Sequence, residues 1–171
     1  LLSSTQVAHA DVIRQQTSSF ATSMYVGNMI SGVQVYQDLG TGLSGSLGNI
    51  QVYIQSRYTA NLTNIAIVSL IVDCFTLSNY TSSCGSVISN SGPAMTDNSS
   101  SIRTFGFPPG FIFSSSNYYR LKYSTGNHVQ TGYPVIYGSN NSSSYANGAC
   151  GGWNWSGACG SMADLYFIIN D

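Results

Sequence analysis

LGTGLSGSLGNIQVYIQSRYTANLTNIAIVSLIVDCF, Leu39 to Phe75, decides the fold. Ile50, Val52 and Ile54 alternate with Gln51, Tyr53 and Gln55, the two-residue period of a half-buried strand. Ile65 to Val72 (IAIVSLIV) is apolar almost throughout and mostly β-branched, which predicts a central strand covered on both faces. A Gly/Ser-rich turn precedes the first strand. The connection to the second carries Asn61-Leu62-Thr63, an N-glycosylation acceptor pattern. A buried strand pair with a sugar-bearing outer loop predicts an extracellular β-sandwich.

Reading outward from this stretch, strands are predicted over 18–26 and 33–39, at Ile102–Phe107, through Phe111–Phe113 and over Asn117–Ser124. In the last of these, Tyr119, Leu121 and Tyr123 face one way and Tyr118, Arg120 and Lys122 the other. Residues 74–101 are polar and turn-rich, with at most a short strand at Val87–Ile88. Pro134 opens a short strand, VIY, and a long loop follows. Ala163–Asn170 is a terminal strand with Leu165, Phe167 and Ile169 opposite Asp164, Tyr166 and Ile168. Residues 1–17 are ambiguous: Val7, Ala10 and Ile13 share a helical face, while Ala8, Ala10 and Val12 alternate as a strand would. The expected architecture is all-β, a two-sheet β-sandwich of jelly-roll type over 18–171, with an N-terminal extension over 1–17, extended or a short helix.

Composition fixes the class of surface. The chain has 171 residues, enough for one domain with its own core. Charged residues are 6% of it, against about 25% in ordinary soluble proteins. Lys122 is the only lysine, and glutamate is absent. Five scattered basic residues make no phosphate-binding cluster, so nucleic acid is not an expected partner. No apolar run is long enough to cross a bilayer as a helix. With no signal-peptide pattern at Leu1, the chain reads as a mature secreted product whose leader has been removed.

The four cysteines form two local pairs, Cys74 with Cys84 and Cys150 with Cys159. Three connectivities exist, and short separation favours these two closures, each worth about 3 kcal/mol in the chain-entropy model. An even count beside several sequons points to an oxidising compartment. The sequons are Asn61, Asn79, Asn98, Asn140, Asn141 and Asn154, nearly all in predicted loops.

Four segments together, QDLGTGLSGSLGNIQVYI, IAIVSLIVDC, TFGFPPGFIFSSSNYYRLKY and ADLYFII, resemble the secreted jelly-roll modules of extracellular and cell-surface proteins. The resemblance covers most of the chain after residue 18. It implies the fold and an adhesive, sugar-binding or assembly role, and it carries over no functional residue.

Catalytic chemistry finds little support. His9 and His128 are the only histidines, and no nucleophile elbow exists. Of the carboxylates, Asp73 and Asp164 read as markers of strand ends rather than an acid–base pair. Asp97, Asn98 and Asp38 make no calcium loop, and no metal or cofactor is expected. Trp153 and Trp155 in the Cys150–Cys159 loop, with Tyr145, make a candidate sugar-stacking platform, although tryptophans plugging an open end of the sandwich explain the same pattern. The expected function is that of a non-enzymatic structural glycoprotein. It would be secreted and would build a surface layer or filament from copies of itself, through undefended sheet edges and a donor strand around Gln6–Gln15. The alternative is a carbohydrate-binding adhesion module using the tryptophan loop, with glycans as partners.

Overall fold

The computed structural model describes residues 11–17, 22–25, 35–58, 68–90, 100–125, 132–139, 150–152 and 164–171. They form fourteen strands: β1 (Val12–Gln16), β2 (Thr22–Tyr25), β3 (Val35–Gly40), β4 (Gly45–Ser46), β5 (Asn49–Tyr58), β6 (Val68–Phe75), β7 (Ser83–Ile88), β8 (Ser100–Gly106), β9 (Ile112–Phe113), β10 (Tyr118–Thr125), β11 (Gly132–Ser139), β12 (Cys150–Gly152), β13 (Asp164–Leu165) and β14 (Phe167–Asn170). No helix occurs among the described residues, so none there could cross a membrane as a helix. The two main sheets are antiparallel and pack face to face as a β-sandwich.

The first sheet is built on β5, the ten-residue strand that begins the IQVYI alternation. β8 pairs along one edge of β5, from Asn49↔Gly106 to Gln55↔Ser100. The other edge is shared: β14 takes Asn49 to Val52, and β11 takes Ile54 to Tyr58. β1 adds outside β14, and β2 outside β11. The second sheet runs β12-β3-β10-β6-β7. In it β10 lies between β3 and β6, so Leu121 faces Gln37 on one side and Val72 on the other. A two-stranded ribbon, β4-β9, forms a third, separate sheet.

The core follows from the alternation. Ile50, Val52, Ile54, Phe105, Phe167 and Ile169 point inward from the first sheet. Val35, Leu39, Leu70, Val72, Tyr119, Leu121 and Tyr123 meet them from the second. Leu43 and Leu47, from the Gly/Ser-rich turn, join the same cluster. That turn brings both leucines inward by taking positive φ at Gly40, Gly42 and Gly45 (70°, 81° and 109°), a region open to glycine without steric cost.

Of the two alternatives open for the N-terminal segment, residues 12–16 take the extended one, as a strand paired with β14 of the same chain. Several expectations need correction. The second core strand is not covered on both faces: Leu70, Val72 and Cys74 are buried, whereas Ser69, Ile71 and Asp73 are half-exposed. Each sheet of a sandwich has only one inner side, and the outer isoleucine is partly screened by neighbouring side chains. The strand expected at Val87–Ile88 extends over Ser83–Ile88, because β6 runs on to Phe75 and offers a longer partner. Pro134 lies inside β11 rather than at its start. Among the described residues the β2 ladder reaches only to Val135, so Pro134 pairs with Ser56 of β5 alone, and a proline is tolerated where one side of a strand makes no ladder bond. Cys150–Gly152, expected as loop, pairs with β3.

The terminal strand breaks its alternation at Tyr166. Asp164, Leu165, Tyr166 and Phe167 are all buried, because β13 pairs with β11 and β14 with β5. The Tyr166 N–H donates to Tyr137 O at 2.9 Å at the changeover. There β11 and β13 approach so closely that a Cβ on Gly138 would lie 2.1 Å from Asp164 O, which only glycine avoids.

Candidate functional site

Outward-facing residues of β3, β10 and β6 build the most elaborate polar arrangement among the described residues. Strand alternation puts Tyr36 and Asp38, Arg120 and Lys122, and Asp73 and Phe75 on the solvent side of the second sheet. Register then brings them together: Arg120 stands opposite Asp38 on one side and Asp73 on the other, and Lys122 stands between Tyr36 and Ile71. Four of the chain's five basic and six acidic residues therefore share one face.

Arg120 is its centre. Its Nε donates to Asp38 Oδ1 at 2.6 Å. The guanidinium carbon lies 3.8 Å from the Tyr36 ring centroid and 4.5 Å from that of Tyr80. Lys122 Nζ lies 2.6 Å from Asp73 Oδ2. These side chains are between 13% and 21% exposed, so the pairs are only partly screened by water. Burial raises the Asp38 carboxyl above its usual 3.8, and the hydrogen bond and charge of Arg120 pull against that rise.

The β6–β7 hairpin supplies the remaining ring. Cys74 and Cys84 form a disulfide with Cα atoms 5.0 Å apart, as their spacing predicts. The loop inside it places Tyr80 at φ 57°, a left-handed conformation that costs a non-glycine residue about 1 kcal/mol or more. Tyr80 packs edge-on against Phe75 (5.4 Å) and Tyr118 (6.0 Å), besides meeting Arg120. Beside it Asn79 is exposed in an Asx turn, its Oδ1 accepting from Thr81 N–H (3.3 Å) and Thr81 Oγ1 (2.6 Å).

On the opposite side of β3 is a second polar contact. Gln37 is fully buried; its Nε2 donates to Asp164 Oδ1 at 3.2 Å, and its Oε1 accepts from Leu165 N–H at 2.8 Å. This amide ties the two sheets together through the core, and Asp164, which the sequence marks only as a strand end, is 1% exposed.

Cys150 is buried and disulfide-bonded. Cys159, the other sequons (Asn61, Asn98, Asn140, Asn141 and Asn154), the proposed platform of Trp153, Trp155 and Tyr145, and both histidines lie outside the described residues. Asp73 does not end its strand; it lies within β6 as the partner of Lys122. No group of three His, Cys, Asp or Glu residues suited to a metal occurs among the described residues. Sequence reasoning placed Arg120 and Lys122 on one face but missed Tyr36, Asp38 and Tyr80 as their companions. No spacing rule joins residues that meet only through strand pairing.

No protein-family model matches the chain, and no curated protein matches it.

Proposed function

We propose that this chain is a non-enzymatic structural glycoprotein of an extracellular surface, assembling with copies of itself through sheet edges. The observation that carries the reading is the placement of β1. This five-residue strand adds to the outer edge of β14 in register Val12↔Asn170 to Gln16↔Phe167. It is anchored by Arg14 Nη1 donating to Leu39 O (2.8 Å), by Ile13 against the core, and by the Asp11 N–H donating to Asp171 Oδ1 (2.6 Å). The same contacts form whether the strand comes from its own chain or from an identical neighbour, which is the basis of strand exchange.

The edges support the same reading. Among the described residues β1 ends one side of the first sheet and β7 one side of the second. Neither strand contains a lysine or proline, the usual means of blocking an edge, and Ile88 on β7 is 56% exposed. The Cys74–Cys84 disulfide and the exposed Asn79 turn suit an oxidising, glycosylating compartment.

Solution size tests the proposal. The oxidised native chain is expected to form oligomers or filaments by light scattering and electron microscopy. Removal of residues 1–16 is expected to abolish them, with rescue by a peptide of those residues. A native chain that stays monomeric at high concentration overturns the reading, as does assembly unchanged by the deletion.

A further inference from the structure

We infer that the outer face of the second sheet is a binding site for an acidic sugar, with Arg120 receiving the carboxylate. The inference does not depend on self-assembly, since a monomer presents the same face.

Arg120 is held like a receptor group. A guanidinium carries five N–H donors, and one carboxylate takes at most two of them. Asp38 is the only acceptor that Arg120 has among the described residues, and its 2.6 Å contact is to Nε. At least three donors therefore remain for a second acceptor. The rings of Tyr36 and Tyr80 at 3.8 and 4.5 Å fix the plane in which those donors point. The Arg–carboxylate fork is directional, so a fixed plane selects a planar acceptor.

Charge and aromatic surface narrow the ligand. Arg120 and Lys122 are balanced by Asp38 and Asp73, so the patch carries no net charge. Such a patch accommodates one added negative charge better than a dianion, which favours a carboxylate over a phosphate. Beside Arg120, Tyr80 and Tyr118 pack edge to face with planes 75° apart, and Tyr80 meets Phe75 at 77°. These rings form a stiff apolar wall of the kind on which the C–H face of a pyranose packs at low entropy cost. The left-handed backbone at Tyr80 (φ 57°) is strain that the Cys74–Cys84 loop supports, and such strain clusters at ligand clamps.

The test titrates the full oxidised chain, by NMR, with glucuronic acid and separately with glucose, acetate, inorganic phosphate and a short peptide with a free carboxylate. Glucuronic acid is expected to give saturable shifts at Arg120, Tyr36 and Tyr80, with each comparison compound bound at least about tenfold more weakly. Arg120→Lys keeps the charge and the stem but loses the fork, and is expected to weaken glucuronic acid by about tenfold with melting little changed. Lys122→Met is expected to weaken it by about twofold to threefold. No saturable glucuronic acid binding overturns the inference. Equal binding of glucose removes the role of the anion. Equal binding of acetate, phosphate or the peptide removes the sugar. Unchanged affinity in Arg120→Lys removes the site.

Discussion

Gln37 and Asp38 are consecutive residues of β3, yet they face opposite sides of the sheet and solve opposite problems. Gln37 lies in the core, where a neutral amide donates to Asp164 and accepts from the Leu165 N–H. Asp38 lies on the outer face, where a full charge meets Arg120 beside water. Inside, an unmet polar group costs its whole desolvation, so the contact is structurally necessary. Outside, water still reaches the pair in part, and burial already opposes the charge on Asp38, so the pair contributes less than its distance suggests. A short contact distance therefore does not measure importance, and the surroundings decide it.

The largest break in this contrast is Gln37→Leu. It keeps the volume but takes from the buried Leu165 N–H its Gln37 acceptor and from Asp164 one of its contacts, and denaturant unfolding is expected to show a loss of about 2 to 3 kcal/mol. Next comes the double replacement Cys74→Ser and Cys84→Ser. It opens a short loop, with an expected loss of about 2 to 3 kcal/mol and release of Tyr80 from the Arg120 face.

Asp38→Asn sharpens the comparison by its smallness, with an expected change below about 1 kcal/mol. Its clearer signature is in pH. A carboxyl raised above 3.8 in the folded state binds protons that the unfolded state has released. Its contribution is complete below 3.8 and is lost as pH rises through the folded value. Asp38→Asn is thus expected to lose less melting temperature between pH 4 and pH 7 than the native chain does.

The smallest effect is expected from Tyr123→Phe. The Tyr123 hydroxyl is buried with no hydrogen-bond partner among the described residues, so its removal is expected to be neutral or stabilising by up to about 1 kcal/mol. Burial also drives the ionisation of Tyr123 far upward. The unfolded chain alone then releases this proton above pH 10, so the native protein loses stability there, and the variant is expected to lose less.

Strand alternation was the most legible feature of the sequence. Ile50, Val52 and Ile54, and likewise Tyr119, Leu121 and Tyr123, face the core as their period predicts, because inside and outside are decided residue by residue along one strand. The first cysteine pair was legible for the same reason, being local. What stayed hidden is what register creates. Asp38 and Asp73 become partners of Arg120 and Lys122 only when β10 inserts between β3 and β6, and no local pattern records that insertion. Tyr80 looked like one polar-loop residue among many. Asp164 looked like a strand end because its burial depends on a changeover at Tyr166 between two different neighbours. The residues of the candidate site were thus individually visible, while their grouping was not.

The sharing of one edge of β5 has a consequence for the growing chain. β14 stands between β1 and β5, so the earliest and middle strands of the first sheet are joined through residues 167–170. A nascent chain emerging from the ribosome cannot close that sheet until those residues are free, since every pairing it needs is distant in sequence. Until then the first sheet stays open along that edge of β5.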